Sequence, residues 1–362
     1  MNSRKNDYIE LLRVILTLFV CLHHMRAISD SMPYGGASIC VDGFYLLSGF
    51  FLIISLRARY ASGKMLTIRR YAVSRYERVF TSFLVAYVVA VLLRIVVLKE
   101  FFRGSVVGNV TELFLCEIYA NSAGDRIIPP GWYLGYLLLG QIIVYAVLYL
   151  YLKKQKPTGN KVLSVLIRTL LAVGGYGYLC IKYGHICVYP AQEGFIAIDV
   201  LIRAVAGIVL GTLTADWCIH TEKTPNSTCR KVVFGIASVL LLGMICVYII
   251  FNNGWTRADY LMIIFLVLLV VSLYIYSNHV CLHKKISAII HWLGNVCFTT
   301  YLNHYVIIHI FEEKGVARNW DWKAISTLLF AVVLLFSIAI FCIETVLRKG
   351  FLKIQSLCKI KQ

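Results

Sequence analysis

The chain has 362 residues, 59% of them hydrophobic and only 15% charged, with a mean hydropathy of +0.75. That mix excludes a soluble globular domain and places the protein in a membrane. A net charge of +18 would suggest nucleic acid for a soluble chain, but basic residues held on the cytosolic side of a bilayer account for it here, and no polynucleotide partner is expected.

Runs of about 17 to 25 apolar residues, long enough to span a bilayer, occur near 8–28, 39–56, 79–98, 132–152, 162–181, 195–213, 232–251, 260–276, 286–310 and 324–343. They predict an all-α, polytopic membrane protein of about ten transmembrane helices. With the N-terminus inside, the cytosolic connections carry 23 Lys and Arg residues and the external ones 8. Both termini are therefore expected in the cytosol. The first run lacks the small-residue cleavage site of a signal peptide, so the first helix is expected to stay.

Further along, the connection 99–131 ends in Ile-Ile-Pro-Pro-Gly-Trp-Tyr and is expected to form a short re-entrant or interfacial piece over the external mouth. The two halves show no repeat of the kind found in many transporters. The last residues are short, basic and amphipathic, as in a helix lying on an anionic inner leaflet. Most of the twelve cysteines stand singly in apolar runs, where a thiol packs as a small hydrophobe. No C-x-x-C pair of metal type occurs, and no metal is expected. Cys180 and Cys187 flank an external loop and form the one candidate disulfide.

Ionisable groups in such apolar runs are costly and mark sites or pathways. Arg13 and His24 stand eleven residues apart, which returns them to one helix face about 16 Å apart along the axis. This topology puts Glu10 and Arg13 near the cytosolic end of the first helix and His24 near its external end. Arg13 and the basic stretch 69–78, where Arg75 and Arg78 lie one turn apart, form an inner cluster suited to phosphate oxygens. His24, Asp42 and His304 form an outer, proton-handling cluster. An extended molecule with phosphates inside and a reactive end further out, such as acyl-coenzyme A, matches the two.

Plainer readings apply to other residues. Arg57, Arg59 and Lys64 read as topology determinants, and His23, His291 and His309 as histidines reaching toward headgroups. Asp199 and Arg203, four apart, are close enough to pair. Ser48-Gly49 reads as a small-residue helix contact, and Trp132 and Tyr133 as interfacial anchors.

The pattern resembles the integral-membrane acyltransferase family three, which includes bacterial O-acyltransferases of surface polysaccharides. The resemblance rests on Glu10-Leu-Leu-Arg13 followed by His24, on Val41-Asp42-Gly43-Phe44-Tyr45-Leu46-Leu47-Ser48-Gly49-Phe50, and on Arg75-Tyr76-Glu77-Arg78. Gly131-Trp132-Tyr133-Leu134, Arg203 through Gly211, and Tyr301-Leu302-Asn303-His304 follow in the family's order, although the proline that often follows the Arg-x-x-Arg is replaced by Thr81 and Ser82.

The resemblance implies a membrane acyltransferase domain over 1–347, with a short basic cytosolic tail over 348–362. It implies transfer of an acyl group, usually acetyl, from cytosolic acyl-coenzyme A, a cosubstrate and not a resident cofactor. The acceptor would be a hydroxyl of a surface polysaccharide or lipid-linked sugar, and the location the plasma or inner membrane. His24 would be catalytic with Arg13 as its motif partner and Asp42 or His304 to orient it or relay its proton. Arg75 and Arg78, with Arg13, would contact coenzyme A, and Glu10, Ser48, Trp132, Arg203 and Tyr301 would lie on the substrate side. The competing function is a transporter or flippase for a glycan or lipid-linked sugar, with the same charges lining a permeation path.

Overall fold

A computed structural model describes residues 6–28, 32–100, 105–116, 126–154, 161–189, 197–221, 228–252, 254–316 and 320–359. Among them are eleven α-helices and no strand. The helices are α1 (Asp7–His24), α2 (Ile39–Ala61), α3 (Ile68–Leu93), α4 (Val106–Leu113), α5 (Trp132–Lys154), α6 (Lys161–Tyr183), α7 (Ile198–Thr221), α8 (Thr228–Phe251), α9 (Ala258–Ser277), α10 (Lys284–Glu313) and α11 (Trp322–Lys359). Ten of these correspond to the apolar runs, and the short α4 lies within the 99–131 connection.

Among the described residues, nine helices are long and apolar enough to cross a membrane. The long helix outside that set is α10, which carries Asn295, Thr299, Thr300, Asn303 and His304 along its length. Thr299, Thr300, Asn303 and His304 are buried, so the polar atoms of α10 face protein, where they can be paired, and not lipid. α2 and α7 are the most enclosed, with 67% and 61% of their most apolar stretch buried, against 22% for α6 and α8. Outward-facing Leu170, Val173, Val239 and Leu240 show the lipid-facing side of these outer helices.

Small residues bring the central pair together. An added Cβ on Gly49 of α2 would collide with the Ile208 carbonyl of α7, and one on Gly211 with the Leu46 carbonyl of α2. This is the close backbone approach that glycine permits between membrane helices. α6 joins the pair through polar contacts at both ends. At the inner end Asp216 bridges Arg57 and Arg168, at 2.7 Å to each. At the outer end Arg203 of α7 meets Asp42 of α2 at 2.5 Å, and Tyr176 of α6 donates to the same carboxylate at 3.3 Å.

The expected Asp199–Arg203 pair does not form. Arg203 turns inward to Asp42, while Asp199 turns outward to Lys182 at 2.8 Å and to Tyr178 and Tyr183. Burial explains the exchange, since a guanidinium inside the helix layer requires a carboxylate there and not on the rim.

Two boundaries differ from the apolar pattern. α3 begins at Ile68, capped by the Thr67 hydroxyl, which accepts from the Arg70 amide. Arg69, Arg70, Arg75 and Arg78 therefore stand on a helix and not in a loop. α11 runs without interruption to Lys359, so the expected tail continues the last spanning helix in backbone. Cys180 and Cys187 are both free thiols.

Candidate active site

α1 and α10 run parallel and in register along their whole contact. Asp7 receives the Ser287 hydroxyl at 2.9 Å and sits 2.8 Å from His291, Arg13 donates to the Gly294 carbonyl, and His24 packs against His304 with ring centroids 5.1 Å apart. Asn6 fixes the start of α1 by accepting from the Tyr8 and Ile9 amides. Midway, the side chains of Thr17 and Cys297 meet. Asp7, Arg13 and His24 therefore all face one partner, while His23 turns to the Tyr34 carbonyl at 3.0 Å.

At the inner end a cavity of about 470 Å³ opens between α1, α3, α10 and α11. Arg13, Arg78, Ser82, Asn295, Thr299 and Glu344 contribute its polar wall. Arg13 is also held by Glu10 at 2.5 Å, and its side chain stays 38% exposed, so its charge is reachable from the cavity. Glu10 thus serves the basic end, about 21 Å along the axis from His24 at 1.5 Å per residue. Arg75 lies apart from this wall, with its guanidinium 5.3 Å over the Tyr71 ring.

At the outer end the His304 Nδ1 lies 2.7 Å from the Tyr301 carbonyl and 3.3 Å from that of Thr300. A carbonyl only accepts, so the ring proton sits on Nδ1 and the lone pair on Nε2. Nε2 is buried and has no hydrogen-bond partner among the described residues. His24 lies beside it, framed by His23 and Tyr305, each with centroids 5.5 Å away. The arrangement is a pair of imidazoles, one with its tautomer fixed and its base nitrogen unused.

A train of rings leads from this pair toward α2 and α5. Tyr301 lies 5.9 Å from His304, 5.7 Å from Tyr133 and 6.3 Å from Phe44. Its hydroxyl donates at 2.7 Å to the Pro130 carbonyl in the buried Pro129–Gly131 turn, where the 99–131 connection ends. Trp132 packs edge-on against Tyr133 and Tyr136, and Ser48 hydrogen-bonds Tyr133. Ser48, Trp132 and Tyr301 therefore belong to one wall.

Asp42 and Arg203 are occupied elsewhere. Arg203 donates through Nε and a terminal nitrogen to the two Asp42 oxygens at 3.1 and 2.5 Å, and also to the carbonyls of Val188 and Ser38. With side chains 2% and 1% exposed, the pair is sealed in the α2–α7 layer. The expectation that Asp42 orients His24 gives way to this pairing, because both carboxylate oxygens already serve Arg203, and Tyr176 donates to one of them.

A family model described as an acyltransferase domain matches residues 6–344. The chain belongs to acyltransferase family three. No curated protein and no solved structure matches it. In this acyltransferase the matched stretch runs from the Asn6 cap to Glu344 in the cavity wall and takes in both ends of the α1–α10 pair.

Sequence reasoning missed Glu344, Gly294 and Tyr305. Glu344 is 6% exposed and receives the Ser82 hydroxyl at 2.6 Å; its only signal is an acid just past the last apolar run. Gly294 leaves no side chain between Arg13 and its own carbonyl, a role no local pattern announces. Tyr305 reads as one aromatic among many until the fold sets it on His24.

Proposed function

We infer that this membrane acyltransferase moves an acyl group, most simply acetyl, from cytosolic acyl-coenzyme A to a hydroxyl of an extracytoplasmic or lipid-linked glycan. The observation that carries the reading is the parallel α1–α10 pair, with Arg13 on a cavity at one end and the His24–His304 pair at the other. Arg13 and Arg78 hold the phosphates of the donor in the inner cavity. Arg75 guides the donor in from one turn away, and the pantetheine arm extends along the helix pair for about 16 Å toward His24.

His24 acts as general base on the acceptor hydroxyl, which attacks the thioester carbonyl. The carbon–sulfur bond breaks, and the coenzyme A thiolate leaves with the proton taken from the acceptor. His304, with its base nitrogen open, relays that proton and keeps His24 oriented. In an alternative order the imidazole of His24 takes the acyl group first and passes it to the hydroxyl. Label that stays on the protein when donor is supplied without acceptor identifies this second route.

The ring wall of Tyr133, Trp132 and Tyr301, with Ser48 beside it, suits the faces and hydroxyls of a sugar. The location is the plasma or inner membrane, with both termini cytosolic and the basic tail on the inner side. The transporter reading loses its main support because Asp42 and Arg203 neutralise each other inside a helix layer and do not line a path.

The test is to compare cell-surface and lipid-linked glycans with and without this chain. The expected result is loss of a single acyl group's mass from one glycan species, restored by the intact chain. Unchanged glycan masses together with altered glycan export would contradict it.

A further inference from the structure

The 99–131 connection ends inside the helix layer. Tyr301 meets the Pro130 carbonyl with twelve residues of α10 still to run to Glu313, about 18 Å of helix. Irregular backbone at such depth is tolerated where protein surrounds it and its polar groups are paired. Arg126, Ile127, Ile128, Pro130 and Gly131 are all buried. The Arg94 guanidinium donates to the Arg126 carbonyl at 3.0 Å, and the Gly131 amide closes the turn onto the Ile128 carbonyl at 2.8 Å. Glu112 takes the Ile127 and Ile128 amides, at 2.9 and 2.6 Å.

Glu112 stands on α4, whose Gly108, Asn109 and Glu112 are buried while Val106, Val107 and Val110 face outward. Tyr87 of α3 holds this helix by donating to the Asn109 carbonyl at 3.1 Å. Each Glu112 oxygen takes one of two successive amides. That pattern needs two acceptors and no donor on one side chain, which a carboxylate supplies and an amide does not. Arg94 and Arg126 stand close enough to act on this carboxylate as positive charges.

We propose that Glu112 is a positioning residue for acyl transfer, setting Tyr301 against His304 through the backbone of residues 127–131. The proposal rests on the reading of the His24–His304 pair and its ring wall as the transfer site. Past the turn, the Tyr301 hydroxyl is fixed on the Pro130 carbonyl at 2.7 Å. The Tyr301 carbonyl in turn accepts the His304 Nδ1 proton at 2.7 Å, and the two rings lie 5.9 Å apart. A carboxylate 189 positions before Tyr301 thus sets where the ring wall stands against the base. With the turn released, the Tyr301 hydroxyl loses a fixed partner, and a misplacement of about 1 Å beside the chemistry can cost about a hundredfold in rate. The inner cavity, lined by α1, α3, α10 and α11, is left as it was.

The test uses the full-length chain. With fluorotyrosine placed at Tyr301 in detergent, without donor or acceptor, the wild type should give one fluorine resonance and E112Q a shifted or second one. In inside-out vesicles given radiolabelled acetyl-coenzyme A, E112Q should slow labelling of the glycan fraction about tenfold or more, with the apparent KM for acetyl-coenzyme A unchanged. Y301F should lose rate as well, and E112Q combined with Y301F should lose no more than the larger single loss, because both cut one link. Losses that multiply in the double variant overturn the proposal, as does a wild-type fluorine resonance in E112Q. So does a KM for acetyl-coenzyme A that rises as far as the rate falls. Should E112Q fail to fold, E112D decides by the same readings, since it keeps the charge and shortens the reach by one methylene. Vesicles of the wild type that label no glycan would contradict the transfer reading, and the fluorine resonance would still decide whether Glu112 sets Tyr301.

Discussion

Arg203 and Asp42 show what a buried charge requires in this bundle. Removing one partner leaves the other uncompensated, at a cost of about 3–5 kcal/mol. Arg203→Met should therefore lower thermal stability in detergent sharply, and Arg203→Met combined with Asp42→Leu should recover a good part of the loss. A double variant as unstable as the sum of the singles would show that the two groups do not act as a pair. At the other end of the chemistry, Arg78→Ala should raise the apparent KM for the acyl donor several-fold with little change in kcat. Arg75→Ala, which removes a side chain resting on Tyr71, should do so less. An equal effect on kcat in both would argue against the donor role. Arg13 and His24 both meet α10, and that they share one face of the first helix was legible from spacing alone. The true partner of Asp42 was not, since it lies 161 positions away in α7 and an i,i+4 neighbour of Arg203 offered a local alternative.

α10 is the element whose composition and placement explain each other. It is the long helix that falls short of membrane apolarity, and one of its buried polar residues, His304, meets both α1 and the ring wall. Periodicity found its position but not its partner, because which polar face meets which helix depends on packing across the whole bundle. Glycine marks the contacts with different consequences. Gly49→Ala or Gly211→Ala drives a Cβ into the backbone of the facing helix, and overpacking of this kind costs about 1–3 kcal/mol or more, read as lost folded yield. Gly294→Ala meets instead the end of the Glu10 side chain, which can swing aside. It should leave folding near normal while releasing Glu10 from Arg13 and weakening donor binding. Equal loss of folded protein in all three variants would contradict that distinction.

For the molecule as a whole, the charge bias of the connections sets the orientation, and orientation sets which face receives the donor. The orientation expected from that bias puts Cys116 outside and Cys281 in the cytosol, and both thiols are exposed. In single-cysteine variants on intact cells, a membrane-impermeant maleimide should label Cys116 and spare Cys281 until the cells are opened; the reverse pattern would invert the proposed reaction. The all-helical, many-span architecture was readable from apolar runs alone. The extensions of α3 and α11 were not, because helix continues wherever backbone hydrogen bonds do, past the point where lipid contact ends.

The central claim is that donor binding and acyl transfer occupy opposite ends of one helix pair. It is tested most directly with His24→Ala in inside-out membrane vesicles given radiolabelled acetyl-coenzyme A. The account predicts wild-type donor affinity and no label in glycan. Label transferred at the wild-type rate by the variant would contradict it.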